Sequence, residues 1–167
     1  IEINNSYAPA LSNLGGIELN SGNKQEALSL LIKATEYDPK LYAAWVNLTT
    51  AYLHLGKSQE AENSCREAIR HNPNLFDSHF LLGTILLGQK KLKEAELYTR
   101  KAIELNSDFA EAHSNLGTVL RNLGNLQEAE VSIRKAIEIR PNLSKAYFTL
   151  SLLMIDVEND NLVKYLF

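Results

Sequence analysis

The sequence predicts an all-α fold, a solenoid of antiparallel helix pairs in units of 34 residues. Three observations carry that prediction. The stretch SNLGGIELNSGNKQEAL (12–28) returns as SNLGTVLRNLGNLQEAE (114–130), an offset of 102 residues or three times 34. Intermediate copies stand on the same ruler, VNLTTAYLHLGKSQEAE from Val46 and FLLGTILLGQKKLKEAE from Phe80, with a degenerate fifth from Phe148. A fixed period of this length is the mark of a repeat architecture. Within each unit the apolar residues recur at helical spacing, as in Ala129, Ile133, Ala136 and Ile137.

Taken in order, each unit reads as two helices. The first closes near Gly22, Gly56 and Gly124, where a residue able to take positive φ ends a helix. The second stops before Pro39, Pro73 and Pro141, which cannot continue one. Small residues recur in one column (Gly15, Thr49, Gly83, Gly117, Ser151) opposite an alanine column (Ala27, Ala61, Ala95, Ala129). A helical glycine costs about 1 kcal/mol relative to alanine, so its recurrence predicts a close helix–helix approach that recovers the cost by packing. The third copy departs most: Gly88 falls two residues early, Lys90 stands where the closing glycine is expected, and Ser107 replaces proline. A less regular turn is predicted there.

This layout resembles the tetratricopeptide repeat, a 34-residue helix–turn–helix unit. Trp45 and Tyr52 stand at the positions of the family's Trp and Tyr, and the resemblance runs over essentially the whole chain. It implies a right-handed superhelix with a tail of a preceding repeat (1–7), four units (8–41, 42–75, 76–109, 110–143) and a partial fifth (144–167). Val163 and Phe167 fall in second-helix columns, so a second helix is predicted to begin before the chain stops. The cut repeats predict a truncated parent protein or an end-to-end partner.

Composition excludes several classes. With 167 residues, 45% apolar and 22% charged, the chain has the content of a globular domain. A net charge of −3 gives no reason to expect nucleic acid. RNA-binding helical hairpins of 35-residue period are opposed by the strict 34-residue ruler. No apolar run reaches the roughly 20 residues of a membrane span, and no signal peptide or initiator Met opens the chain, which predicts an excised, cytoplasmic piece. Cys65 is the lone cysteine and sits in the core column of Leu31, Thr99 and Ile133.

Chemistry finds little purchase. The glycines of NLG…NLG lack the GxxxxGK[ST] and GxGxxG spacings, recur once per unit, and read as joints. His54, His71, His79 and His113 form no HxxxH or HExxH set, and no metal or cofactor is predicted. Glu62/Arg66, Glu96/Arg100 and Glu130/Arg134 read as i,i+4 pairs on a solvated outer face, and no catalytic residue is expected.

The resemblance implies instead a concave groove lined by the first helices, holding a peptide or helix of a partner protein. Its lining on this chain would be Asn13, Val46, Asn47, Thr50, Leu53, His54, Phe80, Thr84, Leu87, Ser114, Asn115, Thr118, Arg121, Asn122 and Phe148. Gly16, Leu19, Asn20, Leu152, Ile155 and Asp156 fall in the same columns, and Val46, Leu53, Phe80 and Leu87 would form an apolar centre. The Lys/Asn/Arg carboxylate clamp of chaperone-binding members is not matched, since Ser12, Gly16, Thr84 and Gly88 occupy its places. AEAHSNLGTVLRNLGNLQEAE looks like the repeats of O-linked N-acetylglucosamine transferase, whose asparagine ladder holds backbone amides; Asn13, Asn47 and Asn115 occupy that column, with Leu81 and Thr149 interrupting it. The expected function is a non-catalytic binding scaffold, with the substrate-recruiting array of a larger glycosyltransferase-like enzyme as the alternative.

Overall fold

The computed structural model describes residues 7–166, with side chains through 157. Residues 1–6, which hold most of the expected repeat tail, lie outside the described residues. The described chain is helical throughout, nine helices joined by short turns, with no strand among them. It divides into two compact units, Ile1–Ile85 and Leu86–Phe167.

The first unit contains α1 (Tyr7–Asn20), α2 (Lys24–Tyr37), α3 (Tyr42–His54), α4 (Ser58–His71) and most of α5 (Phe76–Gly88). Its core joins Leu19 of α1 to Ala27 and Leu31 of α2 and to Leu48 and Ala51 of α3, with Ile32, Trp45 and Tyr52 packed around them. Each fully buried leucine such as Leu31 contributes about 2 kcal/mol by leaving water. Gly15 is what lets α1 and α2 meet: a Cβ there would stand 2.6 Å from Leu31 Cγ. Cys65 is buried on α4 and its thiol meets the Ser78 carbonyl oxygen at 3.2 Å, so the predicted core position holds.

The second unit contains α6 (Leu92–Leu105), α7 (Ala110–Asn122), α8 (Leu126–Ile139) and α9 (Ser144–Leu166). Leu116, Leu120, Ala129, Ile133, Ala136, Ala146 and Leu153 form its core. Here Gly117 repeats the device of Gly15, its missing Cβ lying 2.3 Å from Ile133 Cγ1 and 3.2 Å from the Ala129 carbonyl oxygen.

The first helix of each pair ends in one hydrogen-bond pattern. Gly22 N–H donates to Leu19 O (3.1 Å) and Asn23 N–H to Glu18 O (2.9 Å); Gly124 and Asn125 make the same two bonds on Arg121 and Leu120. Gly22, Gly56 and Gly124 hold φ of 86°, 70° and 82°, as this closure requires. The predicted irregular turn in the third copy is corrected. Lys90 takes φ 60° and closes on Leu87 (3.0 Å) while Lys91 closes on Leu86 (2.9 Å). The closure uses only backbone atoms, so a lysine that enters the left-handed region reproduces it at a cost of about 1–2 kcal/mol.

The second helices end on an extended residue, after which a side chain caps the turn: Asp38 Oδ1 accepts from Lys40 N–H (3.0 Å) and Asn106 Oδ1 from Asp108 N–H (3.2 Å). Ser107 therefore serves as well as proline. Two further expectations change. Glu62 is buried rather than solvated, although it pairs with Arg66 at 2.8 Å as expected, and Arg100 reaches Glu128 on α8 besides Glu96. The second helix expected to begin before the chain stops is absent: α9 is one helix of 23 residues through position 158, where glutamate replaces the turn glycine. The side chains of Val163 and Phe167, on which that expectation rested, lie outside the described residues.

Candidate functional site

In the first unit, α1 and α3 lie side by side and are joined by a polar bond. Asn47 Nδ2 donates to the carbonyl oxygen and to the hydroxyl of Ser12, both at 3.2 Å. A cavity of about 430 Å³ opens beside this contact. Asn13, Gly16, Ile17 and Asn20 line it from α1, and Asn47, Thr50 and His54 from α3. Of the predicted groove residues, Asn13, Asn47, Thr50 and His54 thus come together. A Cβ at Gly16 would stand in ordinary contact with Asn47 Nδ2, at 3.6 Å. Val46, Leu53 and Phe80 are half-buried and Thr84 is exposed, but none of the four lines this cavity.

The threonines of this column share one constraint. Thr50 donates its hydroxyl to Val46 O (3.2 Å), Thr84 to Phe80 O (3.0 Å) and Thr118 to Ser114 O (3.1 Å), each one turn back on its own helix. With the proton committed there, each hydroxyl offers a ligand chiefly an acceptor.

In the second unit, α7 and α9 are joined by three polar contacts along their length. Lys145 Nζ donates to Asn115 Oδ1, the Thr118 and Thr149 hydroxyls lie 3.5 Å apart, and Arg121 Nε donates to Asp156 Oδ2. These contacts correct two placements. Ser114 and Asn115 are 0% and 1% exposed, so neither presents a surface to a ligand. α9 packs over that face, as α3 does over Ser12, itself buried on α1. The carbonyl of Asn115 already accepts from Lys145, and the asparagine ladder therefore does not continue to it as an open acceptor. Thr118 and Arg121 are half-buried, Asn122 and Phe148 are exposed, and Leu87 at the end of α5 is half-buried.

Sequence reasoning missed Lys145 and Ile17. Position 145 holds Ala43, Asp77 and Glu111 in the other units, so no column pointed to it. Burial holds the Lys145 ammonium below the ordinary lysine range, because its surroundings favour the neutral amine. Among the described residues, no group of three or more His, Cys, Asp or Glu could hold a metal ion, and no helix is long and apolar enough to cross a membrane.

The aromatic column also has a defined role. The Trp45 indole N–H donates to Pro39 O (2.8 Å), His79 Nε2 to Pro73 O (2.8 Å) and His113 Nε2 to Ser107 O (2.9 Å). Two different rings thus anchor a first helix to the loop six residues earlier, which explains why the histidines belong to packing.

Comparison with known proteins agrees with this architecture. Sequence profiles of the tetratricopeptide repeat match residues 18–81, 76–109 and 110–143. No curated protein sequence matches the chain. Among solved structures, YrrB, a tetratricopeptide protein with an unusual peptide-binding site, is 27% identical, with a TM-score of 0.81 over 95% of this chain and 82% of its own. The first tetratricopeptide domain of Spaghetti (RPAP3), bound to the HSP90 peptide SRMEEVD, is 25% identical, with a TM-score of 0.71 over 74% of this chain and 98% of its own. MamA from Desulfovibrio magneticus, at 20% identity, shares the fold with a TM-score of 0.84 over 95% of this chain and 89% of its own. Four closures of one pattern, glycines that admit a neighbouring helix, and profiles running from residue 18 to 143 make the chain a tetratricopeptide repeat protein.

Proposed function

We propose that the chain is a non-catalytic scaffold that binds an extended segment of a partner protein on the face of its first helices. The observation that carries this is the α1–α3 cavity, where three asparagines, a threonine and a histidine surround a floor of Gly16 and Leu19. The amides of Asn13 and Asn20 offer both donor and acceptor, the two functions a peptide unit needs, and Asn47, its Nδ2 bound to Ser12, adds an acceptor, so the site can hold a backbone without reading its side chains. Val46, Leu53 and Phe80 of the same unit add half-buried apolar surface for a side chain, and in the second unit Phe148 and Asn122 stand open to a ligand. The resemblance to YrrB and to the peptide-bound domain of Spaghetti supports a peptide as the ligand class. The net charge of −3 favours protein over nucleic acid.

Peptides selected on the chain from a display library provide the test, with affinity measured by calorimetry. Asn13→Ala combined with Asn47→Ala is expected to weaken binding by roughly tenfold or more, since two amide partners of the peptide backbone would be lost. Unchanged affinity in that variant, with circular dichroism showing it folded, would place the ligand elsewhere.

A further inference from the structure

A second cavity, of about 470 Å³, lies in the corner of α6, α7 and α8 and shares no residue with the face proposed above. Ile103, Leu116 and Val131 give it apolar walls, and Arg100, Lys135 and His113 stand among them. Its residues have counterparts exactly two repeats earlier, 68 positions back, in the corner of α2, α3 and α4: Ile32 for Arg100, Leu48 for Leu116, Ser64 for Ser132 and, above all, Trp45 for His113. There the Trp45 ring packs on the core cluster beside Ile32 and Leu48. Both rings hang from the same loop carbonyl, at 2.8 Å from Pro39 and 2.9 Å from Ser107, so their anchoring is equivalent. Imidazole is the smaller ring. The column beside it cannot fill the difference either, because Ser132 stands where the preceding repeat has Tyr98.

We infer that this corner is a side-chain pocket for an aromatic residue of a partner protein, taking an indole where the chain supplies its own in the second repeat. Its apolar walls offer an aromatic ring the contact that Ile32 and Leu48 give Trp45 in the second repeat. The rim charges are already matched within the chain: Arg100 pairs with Glu96 and Glu128, Lys135 with Glu138 and Glu104 with Lys101, so the apolar walls and not the charges select the guest. Val131, largely exposed on α8, extends the apolar wall to the surface where a peptide would enter.

The test uses the full chain labelled with ¹⁵N and titrated with indole. Saturable shifts are expected at the amides of Ile103, His113, Leu116 and Ser132. His113→Trp should fill the pocket and weaken indole binding by roughly tenfold or more. Ser132→Leu fills the same space from α8 and serves if the first variant does not fold. Shifts confined to other residues, or binding unchanged in a folded filled variant, overturn the assignment. In a second arm, an Ala-Trp-Ala peptide should shift the same amides while Ala-Ala-Ala should not; equal shifts from both overturn the aromatic assignment.

Discussion

Ile133 Cγ1 lies 2.3 Å from the point where a Cβ on Gly117 would sit, so α7 and α8 meet at a distance only glycine permits. Gly117→Ala gains about 1 kcal/mol of helix propensity but forces the isoleucine and the backbone beside Ala129 O to move, an overpacking cost of about 1–3 kcal/mol. The net expectation is a loss of up to about 2 kcal/mol in urea unfolding. In an Ile133→Ala background, which lacks the clashing Cγ1, Gly117→Ala should cost less; a stabilised Gly117→Ala single variant would refute the close contact.

Lys90 offers the opposite case. It is a non-glycine residue held at φ 60°, in a turn whose equivalents are glycine in three other places. Lys90→Gly should stabilise the protein by about 1 kcal/mol, read as a raised Tm, while Gly124→Ala should destabilise by a similar amount.

Burial pushes the Cys65 thiol up to about 12, with Arg66 and a backbone hydrogen bond acting the other way. A thiol whose folded value is raised favours the protonated form in the native state. The associated stability is complete below the unfolded value near 9 and is lost as pH rises from there towards 12. Alkylation by iodoacetamide at pH 8 should accordingly require unfolding, and its rate should rise in step with denaturant. Rapid labelling of the native chain would contradict the buried placement.

The ring anchor can be tested separately from packing. Trp45→Phe keeps an aromatic body and removes the donor to Pro39 O, with an expected loss of about 1 kcal/mol in thermal unfolding. Trp45→His restores a donor, as His79 and His113 show, so in that variant any loss reflects the smaller ring.

How far the sequence could be read follows from what each feature depends on. Helix ends were legible because Gly22, Gly56, Gly124 and the prolines act locally, through φ and a missing N–H. The turn at Lys90 was misjudged because the closure resides in backbone bonds, which no side chain reports. Gly15 and Gly117 were legible as close approaches, since a glycine inside a helix needs a reason. Exposure within the groove was harder. Asn115 and Asn47 share a column, yet one is sealed beneath Lys145 and the other lines a cavity, a difference set by what the next helix places over each. The continuous α9 was missed because the column match at Val163 said nothing about the turn that should precede it.

The bond from Asn47 to Ser12 also fixes a direction. With Nδ2 held on α1, the amide cannot rotate freely, and the hydrogen-bonding function it has left is the Oδ1 acceptor. A peptide lying there would meet a stationary acceptor, reached by an N–H and not by a carbonyl. A single N-methyl group at the contacting residue would then remove that bond and leave the other lining residues untouched.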